Sequence, residues 1–210
     1  DLFYLFENTD VCNMADDTTP YSCDMDISNV IRNLEEDTAA AILWFDANNM
    51  ILNQGKCHFL MSSIKTSVEH FYIKVGEEII WESSEEKLLG LMIDNKLIFN
   101  QYLMDICKKA GCKVTALKRL ARMVPFERKR ILMNSFVESQ FSWCPLIWMY
   151  CSRAANDKIN RIHERVLRIV YLDYTSTFEE LLLKDKSVNI HQGNIQLVAI
   201  EMFKVLKKLG

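Results

Sequence analysis

Met14-Ala15-Asp16-Asp17 sets two carboxylates side by side near the start of the chain. The flanking runs, Thr9-Asp10-Val11-Cys12-Asn13 and Thr18-Thr19-Pro20-Tyr21-Ser22-Cys23, have strand character. The spacing therefore predicts a β-hairpin with the acidic pair at its tip. Carboxylate oxygens on a stiff turn suit Mg²⁺, which takes oxygen ligands in tight octahedral geometry. Nucleotidyl transfer uses two such ions, one to activate the attacking oxygen and one to stabilise the leaving oxygen. Asp is also an ordinary turn former, because its side chain bonds to the local backbone. Taken alone, such a pair is far more often a plain turn than a metal site.

The residues that must hold that tip come next in the chain. Asp26-Ile27-Ser28 with Val30, Ile31, Leu34, Ala41 and Trp44 reads as a capped amphipathic helix. Its exposed face is expected to carry Arg32, Glu35, Glu36 and Asp37, and its apolar face to pack on the sheet that contains the hairpin. Asn48-Asn49 and Gly55 break the pattern, and Lys56 to Met61 looks like a strand. Phe71 to Val75 and Ile79 to Trp81 flank Gly76-Glu77-Glu78, a second hairpin signal. Leu88 to Ile93 is an apolar run ended by Asp94-Asn95, read as one strand and a turn.

From about residue 99 the hydrophobic period becomes helical. Phe99 to Met123 has one Gly and no Pro, with Leu103, Ile106, Ala110, Val114, Leu117 and Leu120 on one face. Pro125 suits the start of the next helix, whose apolar face would be Phe126, Ile131, Leu132, Phe136 and Val137. Phe141 to Tyr150 is dense in aromatics around Pro145 and reads as a buried or kinked helix. Ala155 to Tyr171 points Ile159, Ile162, Val166, Ile169 and Val170 inward, and Phe178 to Leu183 and Ile195 to Leu209 add two further helices. The fold class is α+β, with a boundary near 96 and the helical part divided into 97–152 and 153–210.

Composition sets the limits. The chain has 210 residues, half of them hydrophobic and 25% charged, which allows a sizeable core and argues against wholesale disorder. It contains no Gly/Ser linker, no apolar run of membrane-spanning length and no signal-peptide pattern, so no membrane partner and an intracellular, non-secreted location (nuclear or cytoplasmic) are expected. Seven scattered cysteines without a Cys-x-x-Cys pair are expected to be buried and reduced. The formal charge of −3 is the difference of two unlike halves: residues 1–100 carry −12 and residues 101–210 carry +9. The basic half is a candidate phosphate-backbone surface.

The segment Cys12 to Ser22, with Ala15-Asp16-Asp17-Thr18 at its centre, resembles the Tyr-Ala-Asp-Asp-Thr motif of reverse transcriptases from non-LTR (LINE-type) retrotransposons. Met14 stands where that family has an aromatic residue. Four later segments follow the family's order: Leu52-Asn53-Gln54-Gly55-Lys56, Leu88 to Asp94, Trp143-Cys144-Pro145-Leu146-Ile147-Trp148, and Lys158 to Arg165. The resemblance covers nearly the whole chain. It implies a partial polymerase palm, with antiparallel hairpins and one packed helix, followed by an all-α thumb-like helical bundle. It further implies that Asp16 and Asp17 are catalytic metal ligands for Mg²⁺, and that Lys56 lies near the pyrophosphate leaving group. Leu89 and Gly90 would be the primer-grip-like residues.

Lys108, Lys109, Lys113, Lys118, Arg119, Arg122, Arg128, Lys129 and Arg130 are the candidate contacts to an RNA template and DNA primer. Such a duplex is held through its phosphates without base reading. Phe141, Trp143, Trp148 and Tyr150 could stack bases, although their apolar neighbours favour the core. The family's third catalytic carboxylate lies upstream of the Asp pair, and neither Asp1 nor Asp10 fits its pattern. The expectation is therefore a C-terminal fragment of an RNA-directed DNA polymerase that is inactive alone. The alternative is a non-catalytic nucleic-acid-binding or functionless remnant of a retroelement.

Overall fold

Met14 pairs with Asp17 at the tip of an antiparallel hairpin, β1 (Asp10–Met14) against β2 (Asp17–Tyr21). The computed structural model describes residues 2–15, 17–63, 70–149 and 151–207. Their architecture is α+β, in two compact units, Asp1–Leu97 and Ile98–Gly210.

In the first unit, helix α1 (Ile27–Ala47) begins where Asp26 accepts a 2.9 Å hydrogen bond from the Ser28 amide. That bond satisfies one of the donors a helix start leaves open. Asn48 caps the far end, and Asn49 follows at φ +55°. A three-stranded sheet follows, in the order β3 (Phe59–Leu60), β5 (Glu78–Ser83), β4 (Tyr72–Val75). The β4–β5 turn needs Gly76: φ is +63°, and a Cβ there would lie 2.6 Å from the Gln54 amide nitrogen. Leu34 of α1 joins Phe59, Ile73 and Val75 in the core, with Val30, Ile31, Ile42 and Ile80 packed around them. The apolar face of α1 thus packs chiefly on the three-stranded sheet, and meets the acidic hairpin less extensively, along β2. Ile73 and Val75 of β4, Ile80 of β5 and Phe59 of β3 supply the apolar layer that the hairpin, with no buried residue among those described, does not.

Two further expectations are corrected in this unit. Asp37 is buried, 2% exposed, because Asn8 and Thr9 hydrogen-bond to its carboxylate. The apolar run from Leu88 to Ile93 is not one strand but a hairpin, β6 (Glu85–Leu88) with β7 (Leu91–Asp94). Leu89 and Gly90 form its turn, at φ +49° and +87°. Positive φ at both central residues matches the right-handed twist of the flanking strands.

The second unit is helical. Helix α2 (Asn100–Leu120) packs on α6 (Arg153–Tyr171), which places residues 97–152 and 153–210 in one unit apart from Leu97. The inward sets agree with the 3.6-residue period: Leu103, Ile106, Ala110, Val114 and Leu117 on α2, and Ile159, Ile162, Val166, Ile169 and Val170 on α6. Leu120, at the last position of α2, is instead exposed. Pro125 immediately precedes α3 (Phe126–Leu132), which runs without a break into a π-helical turn, Met133–Glu138, and then α4 (Ser139–Ser142). The buried residues here are Lys129, Met133, Val137 and Phe141, four apart each time. A regular α-helix would rotate that row steadily off one face, whereas the wider π turn keeps it in line. Phe126, Ile131 and Phe136, expected on the apolar face, are exposed: spaced five apart, they cannot share one side of a helix. Glu138 ends the π turn, 3.3 Å from Nε2 of the buried His163 on α6.

The chain breaks at Trp143-Cys144, with Cys144 at φ +51°, before α5 (Pro145–Met149). Helix α7 (Phe178–Asp185) starts with a reciprocal cap between Thr177 and Glu180, and α8 (Ile190–Lys207) packs on α5. Among the described residues no helix is long and apolar enough to cross a membrane. The seven cysteines are free thiols, but Cys12, Cys23 and Cys112 are exposed and only Cys107 is buried. Burial pushes the thiols of Cys107, Cys144 and Cys151 above their ordinary value, which keeps them protonated and unreactive.

Candidate nucleic-acid interface and acidic hairpin

The tip of the first hairpin is stiffened from within. Asn13 and Thr18 pair across the strands, and the Thr18 hydroxyl donates to the Asn13 amide oxygen at 2.9 Å. Ala15 adopts φ +56°, the left-handed conformation of a tight turn. Asp17 is exposed at the start of β2. Asp16 lies outside the described residues. Met14, beside the pair, is 56% exposed. The carboxylate oxygens of Asp17 have the hard-donor chemistry Mg²⁺ requires. Among the described residues no three ligating side chains come together.

Lys56 is not on a strand. It ends a short 3₁₀ turn, Gln54–Lys56, where its amide donates to the Asn53 carbonyl at 3.0 Å, and it is exposed. Leu89 and Gly90 occupy the β6–β7 turn. A Cβ added at Gly90 would touch nothing, so the φ of +87°, not crowding, is what calls for glycine.

The basic residues divide into three sets. Lys108, Lys109, Lys118 and Arg119 on α2 are exposed, as are Arg122 just past its end and Arg128 on α3. Lys108, Cys112, Thr115 and Arg119 follow at steps of four, three and four, which is one stripe of a helix opposite the buried face. From Lys108 to Arg119 that stripe runs about 16 Å along the axis. Lys113 is half-buried, on the flank of the buried face and away from that stripe. Lys129 and Arg130 are not free surface cations. Lys129 is 5% exposed, carried inward by the row that continues through Met133. Arg130 ties α3 to α7, with Nε 3.1 Å from the carboxylate of Asp185 and a terminal nitrogen donating to the Asp185 carbonyl at 2.9 Å.

Asp185 is 3% exposed and also accepts a 2.8 Å hydrogen bond from the Tyr171 hydroxyl. Burial, then the hydrogen bond to Asp185 and its negative charge, push the Tyr171 phenol up to about 12, against a smaller opposing pull from Arg130. A phenol raised above its unfolded value of 10.0 adds stability that is complete below pH 10 and disappears as pH rises through 12. An absorbance titration of the intact chain should therefore show a tyrosine ionising near pH 12, absent from Tyr171→Phe, with stability falling across the same interval. Ionisation of every tyrosine near pH 10 would contradict the buried contact.

The aromatic segment splits in the same way. Phe141 and Trp148 are core residues, Trp143 is 52% exposed, and Tyr150 lies outside the described residues. Sequence reading missed the Asp37 contacts and the Arg130–Asp185–Tyr171 network. It also missed an exposed aromatic pair, Tyr72 and Trp81, paired across β4 and β5 with ring centres 5.1 Å apart. The alternation in Phe71-Tyr72-Ile73-Lys74-Val75 carried that last signal, since residues two apart share a face. No family model, curated protein or solved structure matches this chain.

Proposed function

We propose that the chain is the end of the palm and the thumb of an RNA-directed DNA polymerase of the non-LTR retrotransposon type. In that reading Asp16 and Asp17 hold Mg²⁺ in the intact parent, Lys56 serves the leaving pyrophosphate, and Leu89-Gly90 let the backbone approach the primer end. The exposed cations of α2, with Arg122 and Arg128, hold the RNA–DNA duplex by its phosphates.

The observation that carries the reading is the position of the two motif segments. Asp17 and Leu89-Gly90 both lie at hairpin tips, where the chain can approach a ligand, and a unit with an exposed basic stripe follows them in sequence. Asp105 is the single acid on α2 to balance its five basic residues.

The test is binding of an RNA–DNA hybrid to the 210-residue chain, followed by fluorescence anisotropy across a salt series. The expected result is affinity that falls steeply with salt. In Lys108→Glu/Arg119→Glu, affinity at low salt should drop at least tenfold, and the salt slope should shrink by about 2, roughly one for each phosphate no longer neutralised. Binding that is flat in salt, or equal in the variant, would overturn the thumb assignment. Primer extension by the same 210 residues should show no incorporation. Robust Mg²⁺-dependent incorporation lost in Asp16→Ala would establish the polymerase and overturn the expectation of inactivity.

A further inference from the structure

Asp37 is the one buried charged side chain described in the first unit. A buried carboxylate is costly unless its oxygens are hydrogen-bonded. Here both are. Oδ2 accepts from the Asn8 amide at 3.0 Å and from the Thr9 hydroxyl at 2.7 Å, and Oδ1 accepts from the Asn8 side-chain amide at 3.0 Å. Asn8 also lies 3.4 Å from a carboxylate oxygen of Glu36, which is exposed. The donors come from 28 and 29 residues upstream in the chain and immediately precede β1.

That position matters because the hairpin has little buried packing of its own, beyond the contact of β2 with α1. None of the described residues of β1 or β2 is buried, and only Thr18, Thr19 and Pro20 of β2 and Val11 of β1 are half-buried. Met14 at the tip is five residues beyond Thr9, about 17 Å of extended chain. A tilt of about 10° at the base would move the tip about 3 Å, against a tolerance of about 0.5 Å for a catalytic constellation.

We propose that Asp37 is a positioning residue: its buried carboxylate clasps Asn8 and Thr9 and thereby fixes to α1 the hairpin that carries Asp16 and Asp17. The clasp stands on geometry alone. Its consequence for metal binding rests on the polymerase reading above.

Hydrogen exchange of the full chain separates a clasp from general stabilisation. Asp37→Asn keeps the shape but turns one acceptor into a donor, and Thr9→Val removes one donor while leaving the carboxylate in place. Both should speed exchange of the hairpin amides, residues 10–21, at least tenfold, with the amides of Leu34 and Ile73 unchanged. Thr9→Ser, which keeps the hydroxyl, should behave as the parent. Unchanged hairpin exchange, or equal loosening of hairpin and core in Thr9→Val, overturns the proposal; Thr9→Val decides if Asp37→Asn fails to fold. A second arm adds Mn²⁺ and follows paramagnetic broadening of the Asp17 amide. Broadening in the parent that is several-fold weaker in Asp37→Asn supports positioning, and equal broadening in both overturns it. No broadening in the parent, with the exchange pattern intact, leaves the clasp standing and counts against the polymerase reading.

Discussion

Replacing Trp148 with alanine is expected to destabilise the helical unit by about 3–5 kcal/mol, the cost of emptying a large aromatic site in a packed core. Trp148 is fully buried. Its ring meets Phe141 edge-on at 5.3 Å and Tyr102 at 6.2 Å, so it joins α5 to both α4 and α2. Its indole nitrogen donates to the Trp143 carbonyl at 3.1 Å, which holds the break between α4 and α5 in shape. Aromatic pairs add about 0.5–1.5 kcal/mol to area burial, and the orphaned carbonyl about 1 more if water does not reach it. For a unit of this size the loss corresponds to a Tm lower by roughly 10–25 °C. Trp148→Phe keeps the ring contacts and loses the hydrogen bond, so it should cost about 1–2 kcal/mol. Urea unfolding measures both. A loss below about 1 kcal/mol for the alanine variant would mean that the aromatic segment is not a packed core.

The same residues show what the amino-acid order reveals and what it hides. Helices α2 and α6 were legible because their buried residues recur at steps of three and four, and nothing interrupts the period. The face of α3 was not, because its buried row begins with a lysine, Lys129, and then passes through the π turn at Met133–Glu138. Apolar residue type alone selects Phe126, Ile131 and Phe136, which at about 100° per residue point three different ways. Leu88 to Ile93 was read as one strand because a hairpin turn made of Leu and Gly has no polar signal; only the central glycine marks it. Residue type alone assigns Asp37 to solvent. Its position argued otherwise, since it lies three after Leu34 and four before Ala41, on the buried stripe of α1. Its partners, Asn8 and Thr9, are a tertiary contact that no local pattern encodes. Of the candidate site, the hairpin with Asp17 at its tip and the exposed stripe of α2 were legible, because turn chemistry and helical period are both local. The division between free and engaged cations was not, because it depends on where Asp185 arrives from a distant helix.

Arg130 is where that division has its largest consequence. Arg130→Met is expected to cost the helical unit about 2–4 kcal/mol, because among the described residues it leaves the buried Asp185 charge with the Tyr171 hydroxyl as its side-chain partner. The cost sits below the full value for a buried pair, since the Arg130 side chain is itself 48% exposed and water can follow the lost guanidinium. Asp185→Asn/Arg130→Met, which removes both charges, should recover part of the loss, and the recovered part is the coupling between the two groups. Arg128 is two residues away, exposed, and without an ion pair among the described residues. Arg128→Met should change stability by no more than about 0.5 kcal/mol. Hybrid binding should order the two variants the other way. Arg128→Met leaves one phosphate unneutralised and lowers the salt slope by about 1, while folded Arg130→Met keeps its slope because that guanidinium faces Asp185. If Arg130→Met instead weakened binding in step with Arg128→Met and left urea unfolding unchanged, the cation would belong to the nucleic-acid surface and the α3–α7 tie would be incidental. The paired measurement thus sorts charge that holds this fold together from charge that is free to meet a phosphate, a distinction that sequence position alone, two residues apart on one short helix, does not make.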